Sequence, residues 1–419
     1  MNIYHSTNGS SNFCIALIAA ALVGFTPIIT PALGYPVLSL FALIVILPHL
    51  SQFQRKPNSL LITCVCLYLL WGFVYSLLQI SDGYGTIIMQ MQFLFCILLM
   101  PLIPAVLSRR HRLWILVIML LIVSFNILDN IRLCIIYPEI AATVNRSMEM
   151  VDIIGKAINI GGSTWYNGVT FFFTVCFFTF LNTERKLNKY FMLGCAILSG
   201  YFIFGYCLKA SVIVFAVMAA VLLYLAKRSG KNTGYLMAIA FVFIIVFVVV
   251  ELYSNEIIFL IADNIKSRRL ATRLITLVNP EDEEAAMGTV EARSRLWMLS
   301  LRTWLDNPLN FLLGIGDHGP KYLNNGMGIG YHSDFFDTPA RYGLIGLFLM
   351  YKIFLLAFKR ILCFFDKQYH FQLYVIFGLF ILFGLSKSVF NPSVGCPLFL
   401  LLPLASFYIR KSYINKEIK

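Results

Sequence analysis

Charged residues are scarce in this 419-residue chain. Only 13% of its residues are Asp, Glu, Lys or Arg, whereas 59% are hydrophobic, and the mean hydropathy is +0.79. Soluble domains are about a quarter charged, because a water-soluble globule needs a polar surface. This composition does not supply such a surface, so the sequence predicts a protein embedded in a lipid bilayer.

Long apolar segments recur along most of the chain. A membrane-spanning helix needs roughly 20 mostly apolar residues, and this criterion predicts an all-α polytopic membrane protein with about 12 transmembrane helices. The predicted spans are 13–30, 32–50, 60–80, 86–107, 113–130, 166–182, 190–208, 211–226, 233–253, 342–358, 370–387 and 394–409. The phenylalanine runs Phe171–Phe173 and Phe177–Phe178 are expected to face lipid.

Basic residues are concentrated in alternate connections between these spans. The connections on the side of both termini hold 18 of the 33 Lys and Arg residues but only three of the 20 Asp and Glu residues. Because positive loops stay in the cytoplasm, the N- and C-termini are predicted to be cytoplasmic. The formal net charge of +13 is explained by this distribution, and no nucleic-acid partner is needed to account for it.

Histidine is rare, and cysteine is rare outside the spans. The chain has six His residues, and its ten Cys residues lie in or at the edges of the predicted spans. This placement favours neither a disulfide framework nor a zinc site. No carboxylate-rich cluster with metal-ligand spacing is present either, so neither a metal nor a cofactor is predicted.

The chain divides into three predicted parts. Residues 1–253 form a membrane domain with about nine spans, residues 254–341 form one large periplasmic loop, and residues 342–419 carry the last spans and a cytoplasmic tail. Within the loop, 291–306 has the pattern of an amphipathic helix that Asn307-Pro308 ends. No internal repeat stands out, which counts against transporters built from repeated halves.

The glycine-rich part of the loop contains a dinucleotide-like pattern, G-x-G-x-x-G, at 314–319. That fingerprint requires a preceding strand and a following helix within a βαβ unit, and a membrane protein's outer loop offers neither. We therefore expect these glycines to shape a sharp turn or a close backbone approach.

His332 is the candidate general base, because imidazole titrates near neutral pH. Asp334 and Asp337 follow closely and are expected either to orient His332 or to cap the helix that leads into the next span. A purely structural histidine at the start of a helix is the alternative interpretation.

Cationic side chains form the second group of candidates. Guanidinium groups suit diphosphates because they stay charged and donate in a plane, although an exposed arginine is more often only solvated. Lys209 lies between two apolar runs, where an ionisable group is costly and suggests function. The candidate arginines of the loop are Arg293, Arg295, Arg302 and Arg341.

Two stretches of the sequence resemble a known family. Residues 293–308, followed by Gly314-Ile315-Gly316 and by His332-Ser333-x-Phe335-Phe336-Asp337-x-x-Ala340-x-Tyr342-Gly343-x-x-Gly346, are similar to the C-terminal signature of the O-antigen ligase and polymerase superfamily. The Asn167-Gly168 start of the sixth span resembles the family's usual Asn-Gly. The His-Ser-x-Phe-Phe-Asp form is most similar to repeat-unit polymerases (Wzy-type). One departure is Leu208-Lys209-Ala210-Ser211, where the family usually has a Ser-Arg or Thr-Arg pair.

The resemblance implies a GT-C-like architecture in the bacterial inner membrane. It further implies a metal-independent glycosyltransferase that acts on an oligosaccharide linked to undecaprenyl diphosphate. His332 would accept the proton of an acceptor hydroxyl, and Arg295, with Arg293, Lys209 and Arg341, would stabilise the departing diphosphate. Asp334, Asp337 and Arg302 would support the site. Implied partners are the lipid-linked donor, the bilayer, a chain-length regulator and other polysaccharide-assembly proteins.

Three functions remain open at this point. The first is polymerisation of repeat units into O-antigen or a related surface polysaccharide. The second is ligation of finished chains to lipid A-core in lipopolysaccharide biosynthesis. The third is a flippase or other transporter of lipid-linked oligosaccharides, for which a single large loop is less typical.

Overall fold

The computed structural model describes the protein's backbone over residues 7–26, 58–78, 84–137, 161, 163–206, 210–228, 241–242, 245, 290–316, 328–331 and 333–409. Within these ranges the chain is helical, and no strand is present. Twelve helical elements organise it. They are α1 (Thr7–Phe25), α2 (Asn58–Leu78), α3 (Tyr84–Leu99), α4 (Arg109–Ile136), α5 (Ser163–Asn182), α6 (Lys186–Gly205), α7 (Ala210–Arg228), α8 (Val290–Leu305), α9 (Pro308–Leu313), α10 (Asp334–Cys363), α11 (His370–Ser386) and α12 (Pro392–Ile409).

Three elements have local irregularities. A 3₁₀ turn, Met100–Leu102, and a short helix, Ile103–Val106, extend α3. The middle of α12 is a π-helix over Cys396–Leu401. A 3₁₀ turn, Lys367–Tyr369, leads into α11.

Six helices of the described residues are long and apolar enough to cross a membrane. They comprise Asn58–Tyr75, Arg109–Ile136, Thr164–Asn182, Lys186–Gly205, Lys367–Ser386 and Pro392–Ile409. Ser11–Phe25 and Gln90–Val106 are shorter apolar helices. The protein is therefore a multi-pass, all-helical membrane protein, as the sequence predicts.

The total of twelve spans stays a prediction. Helices α7 and α10 coincide with the predicted spans 211–226 and 342–358. The predicted span 32–50, nearly all of the predicted span 233–253 and most of the large loop lie outside the described residues.

Helices α5 and α12 form the centre of the bundle. Among the candidate spans they are the most buried, at 78% and 94%, whereas α2 is buried over only 28%. Small residues let the start of α12 pass close to its neighbours. A Cβ atom on Gly168 of α5 would lie 2.7 Å from the carbonyl oxygen of Ser393, and one on Gly24 of α1 would lie 3.0 Å from that of Pro392. Such contacts are typical of helix packing in membranes, where backbones approach through small side chains.

Most phenylalanines of the two runs in α5 do not face lipid, contrary to expectation, although Phe177 is only partly buried. Phe171, Phe172 and Phe178 are fully buried, and Phe171 packs edge-on against Phe383 with ring centroids 5.6 Å apart. The reason is the central position of α5. A helix surrounded by protein buries all its faces, and aromatic rings gain from edge-to-face contacts there. Composition alone does not distinguish such a helix from a lipid-facing one.

The two ends of the bundle differ in chemistry. At the end where α5 finishes, Lys189 lies over the Phe180 ring at 5.3 Å, Lys227 and Arg228 occur in the last turn of α7, and Arg360 occurs in the last turn of α10. At the end where α5 begins, the Asn167 side chain donates a hydrogen bond to the Ser388 carbonyl oxygen (2.8 Å). The candidate functional residues of α10 lie at this second end.

Candidate functional site

The α8 helix is held against the start of α10 by a serine. The Ser300 hydroxyl donates to Oδ1 of Asp337 at 2.6 Å and accepts from the Gly330 N–H at 2.9 Å. One turn further along α8, the Thr303 hydroxyl accepts from the Gly328 N–H at 2.7 Å. Residues 328–330 thus follow α8 closely. Position 330 is restricted to glycine because an added Cβ would overlap the backbone of Leu296.

Arg341 is a buried cation one helical turn after Asp337. Its side chain and that of Asp337 are each only 3% exposed, with 3.9 Å between Nη2 of Arg341 and Oδ2 of Asp337. The Tyr331 ring, from the segment 328–331, covers the guanidinium group, with 4.9 Å between Cζ of Arg341 and the ring centroid. Tyr331 itself has a positive φ of 51°, a conformation that non-glycine residues rarely adopt. Such strain tends to occur at functional sites.

Burial controls the protonation of the two carboxyl groups in this first turn. Desolvation raises the pKa of Asp337 from 3.8 to about 6, although the Arg341 charge and the Ser300 hydrogen bond oppose the rise. Burial also raises the pKa of Asp334, again against the Arg341 charge and against three hydrogen bonds. Asp337 therefore titrates near the lower edge of the physiological range.

Asp334 connects α10 to the chain between α11 and α12. Its Oδ2 atom accepts from the N–H groups of Val389 and Phe390, both at 2.6 Å, and from the Ser388 hydroxyl at 3.1 Å. The aspartate does not cap its own helix. Ser333 does so, because its hydroxyl accepts from the Phe336 N–H, and the same hydroxyl donates to the Gly384 carbonyl oxygen at 2.9 Å.

Helix α10 is interrupted at Gly343, which has φ 64°. The break removes the normal partners of the carbonyl groups before it, and residues from elsewhere replace them. Ile315 N–H bonds to the Ala340 oxygen at 2.9 Å, and Gly316 N–H bonds to the Arg341 oxygen at 2.8 Å. From α2, Trp71 Nε1 donates to the Tyr342 oxygen at 3.1 Å.

Gly314 and Gly316 of the dinucleotide-like pattern therefore shape a turn, as expected, whereas Gly319 lies outside the described residues. Gly314 and Gly316 have φ of 80° and 77°. A Cβ on Gly314 would come within 2.6 Å of the Gly343 nitrogen. Their conformations bring the backbone N–H groups of residues 315 and 316 against the break in α10.

The predicted site residues fall into three groups. Arg341, Asp334 and Asp337 are brought together at the start of α10. Arg295 and Arg302 are exposed on α8. Position 332, Lys209 and the side chain of Arg293 lie outside the described residues, so the roles predicted for them stay predictions.

Several residues of the site were not among the sequence candidates. Ser300 and Tyr331 contact Asp337 and Arg341 directly. Lys387 is only 8% exposed at the end of α11 and directly precedes the residues that bind Asp334. A lysine at the end of an apolar run was a visible signal for Lys387. Nothing in the sequence marks a serine on an amphipathic helix as a partner of Asp337.

The site combines a buried guanidinium group, a carboxyl group that titrates near pH 6 and an aromatic ring, at one end of the membrane bundle. A buried arginine beside an aromatic ring suits an anionic phosphate group. Among the described residues, no group of three or more His, Cys, Asp or Glu side chains is close enough to hold a metal ion.

Comparison with known families agrees with this geometry. Residues 194–351 match the family model described as O-antigen ligase. This match confirms the resemblance to the O-antigen ligase and polymerase superfamily. The matched region begins within α6, includes α7, α8 and α9, and ends in α10 after the break at Gly343. It therefore contains all the residues that carry the resemblance except Asn167 and Gly168 of α5. No curated protein matches the chain.

Proposed function

We propose that this protein polymerises oligosaccharide repeat units carried on undecaprenyl diphosphate, building O-antigen or a related surface polysaccharide. The observation that carries the proposal is the burial of Arg341 between Asp337 and Tyr331, within a region that matches O-antigen ligases. A guanidinium group at the end of a transmembrane bundle suits the diphosphate of a membrane-borne substrate.

The proposed reaction is a glycosyl transfer. A hydroxyl group of the acceptor sugar attacks the anomeric carbon of the donor, and the bond from that carbon to the diphosphate oxygen breaks. His332 takes the proton of the attacking hydroxyl group. The negative charge that develops on the leaving diphosphate is stabilised by Arg341, with Arg295, Arg293 and Lys209 as further cations.

The supporting residues act on Arg341 and on the segment around it. Asp337 and Ser300 fix the first turn of α10 against α8. Asp334 fixes the same turn against residues 388–390. Arg302, exposed on α8, supports this site from the loop side. A site held from two sides keeps its cation in place as charge moves, and no reorganisation is then needed during the reaction.

The site is proposed to face the periplasm of a bacterial inner membrane, with both termini in the cytoplasm. The basic residues at the opposite end of the bundle support this orientation, because positively charged ends remain cytoplasmic. A chain-length regulator and other polysaccharide-assembly proteins are the proposed partners.

Ligation of finished chains to lipid A-core is the second candidate, because the matching family model is described as O-antigen ligase and the match fits either reaction. Both reactions use the same donor. Nothing in the described residues favours a flippase.

Deleting the gene and displaying the lipopolysaccharide on a gel separates these functions. Loss of a polymerase leaves a single repeat on the core, whereas loss of a ligase leaves bare core. Loss of a flippase removes long chains and leaves the intermediate facing the cytoplasm. Bare core after deletion would contradict the polymerase proposal.

Complementation with variants then tests the residues. We expect His332→Ala to fail to restore the ladder at normal protein level; a full ladder would show that His332 is not the general base. Arg295→Lys should weaken activity less than Arg295→Ala. Arg132→Ala is a matched control, because Arg132 is 64% exposed and pairs with Asp129 on α4. It should complement fully.

A further inference from the structure

Helices α8 and α9 expose an apolar surface outside the spans. Its members are Met298, Leu305, Leu309 and Leu312, with 47%, 55%, 66% and 49% of their surfaces exposed. We call these four residues the hairpin face. A cluster of large exposed apolar side chains on a segment that contacts a membrane bundle calls for a partner.

The position of the hairpin face is fixed relative to the bundle. The Tyr75 hydroxyl donates to the Gly314 oxygen at 3.0 Å, directly after α9, and Tyr75 is the last residue of the candidate span Asn58–Tyr75. The backbone of Leu312 packs directly against Gly343, where α10 is interrupted. The α9 helix therefore lies beside the last turns of α2, which ends at Leu78.

The hairpin face continues into the exposed surface of the bundle. Directly after Gly343, α10 exposes Leu344, Ile345 and Phe348, at 39%, 39% and 56%. Helix α2 exposes Leu70 and Phe73, at 58% and 49%. On a multi-pass protein such residues face acyl chains. The contact between Leu312 and Gly343 thus places α9 beside the exposed apolar side chains of α10.

Polar groups border the hairpin face in the manner of interfacial helices. Arg295 and Arg302 are exposed on α8, where they are placed to meet phosphate headgroups. Trp304 stacks on Phe311 at 5.3 Å and donates its indole N–H to the Phe311 oxygen. Basic residues and tryptophan beside exposed leucines are the pattern of a helix lying in the membrane surface.

We propose that the hairpin face is immersed in the headgroup–acyl boundary of the leaflet on the site's side, so that its partner is the lipid surface itself. The continuity with the lipid-facing residues of α10 favours lipid over a second protein. The immersed helix α9 is also linked to the candidate site. The residues that follow it, Ile315 and Gly316, donate hydrogen bonds to the Ala340 and Arg341 carbonyl groups.

Photocrosslinking tests the proposal directly. The photoreactive amino acid p-benzoylphenylalanine replaces Leu309 or Leu312 in the full chain, one copy per nanodisc of phosphatidylethanolamine and phosphatidylglycerol. Asp306 is the matched control position, since it is exposed on the same hairpin but polar. Burial of a leucine-sized group in lipid corresponds to about tenfold or more in population, so lipid adducts at 309 and 312 should exceed those at 306 by about tenfold.

Mass spectrometry of the adducts gives outcomes that decide the matter. Lipid adducts concentrated at 309 or 312 support the proposal, and either position suffices if the other variant misfolds. Crosslinks from these positions to the chain's own peptides would overturn it, because protein would then cover the face. Equal lipid adducts at 306 and 309, or none at all, would overturn it as well.

Discussion

Replacing Gly343 by alanine should loosen the join between α9 and α10. The residue has φ 64°, and an added Cβ would overlap the Leu312 carbonyl and lie 2.5 Å from the Leu313 nitrogen. With ψ −164° as well, this conformation is essentially restricted to glycine and costs about 1–3 kcal/mol for a residue with a side chain. Relief of the overlap requires α9 to move away from α10.

That movement also breaks backbone hydrogen bonds. The bonds from Ile315 and Gly316 to the Ala340 and Arg341 oxygens, at 2.9 and 2.8 Å, contribute about 1 kcal/mol each. We therefore expect Gly343→Ala to lower the free energy of unfolding by about 3–5 kcal/mol. Activity should fall as well, because Arg341 lies in the displaced turn.

The assay is thermal unfolding of the purified protein in detergent, alongside complementation of the lipopolysaccharide ladder. Gly378→Ala is the matched control, because no atom lies within 4 Å of its added Cβ in the middle of α11. Alanine there should be neutral or stabilising by up to about 1 kcal/mol. If Gly343→Ala unfolded at the wild-type temperature, the strained break would not hold the site together.

Three further predictions concern the first turn of α10. Because the folded state raises the pKa of Asp337 from 3.8 to about 6, protonation of Asp337 stabilises the fold by about 3 kcal/mol. This contribution is complete below pH 3.8 and is lost as the pH rises through about 6. Asp337→Asn should remove this dependence, as unfolding temperatures measured across that pH range will show; parallel curves would contradict it. Arg341→Ala should lower the transfer rate about 100-fold or more, and Arg341→Lys should lower it less, since lysine keeps the charge but not the planar guanidinium group. Equal rates for the two variants in an assay with lipid-linked donor would contradict a role for the planar guanidinium group. Asp334→Ala should lower the free energy of unfolding by about 3 kcal/mol, because three hydrogen bonds are lost, and Asp334→Asn should lower it by less. Wild-type stability of the alanine variant would contradict this prediction.

Much of the fold was predictable because bilayer physics acts on local sequence. A run of apolar residues predicts a helix in lipid, since only helices and closed barrels satisfy the backbone there. The amphipathic helix expected at 291–306 is observed as α8, and Asn307 begins α9 by accepting from the Asn310 N–H. These features depend on neighbours within a few residues.

The site was predictable only where one residue carried the chemistry. Arg341, Asp334 and Asp337 were identified by type and spacing, and the structure brings them together. The aspartates' partners were missed because they come from distant parts of the chain. Ser300 lies 37 residues from Asp337, and Val389 lies 55 residues from Asp334. The break at Gly343 was missed as well, since a glycine in an apolar helix is usually unremarkable.

The contacts that position the start of α10 are made largely by main-chain atoms. The Ala340 and Arg341 carbonyls meet the N–H groups of residues 315 and 316, and Asp334 meets those of residues 389 and 390. Main-chain bonding places little demand on the side chains at those positions, apart from the glycines at 314 and 343. Sequences around such a frame are free to diverge widely while its geometry persists. If the proposed glycosyl transfer takes place at Arg341, the side chains near it can then change to suit different sugars without rebuilding the scaffold.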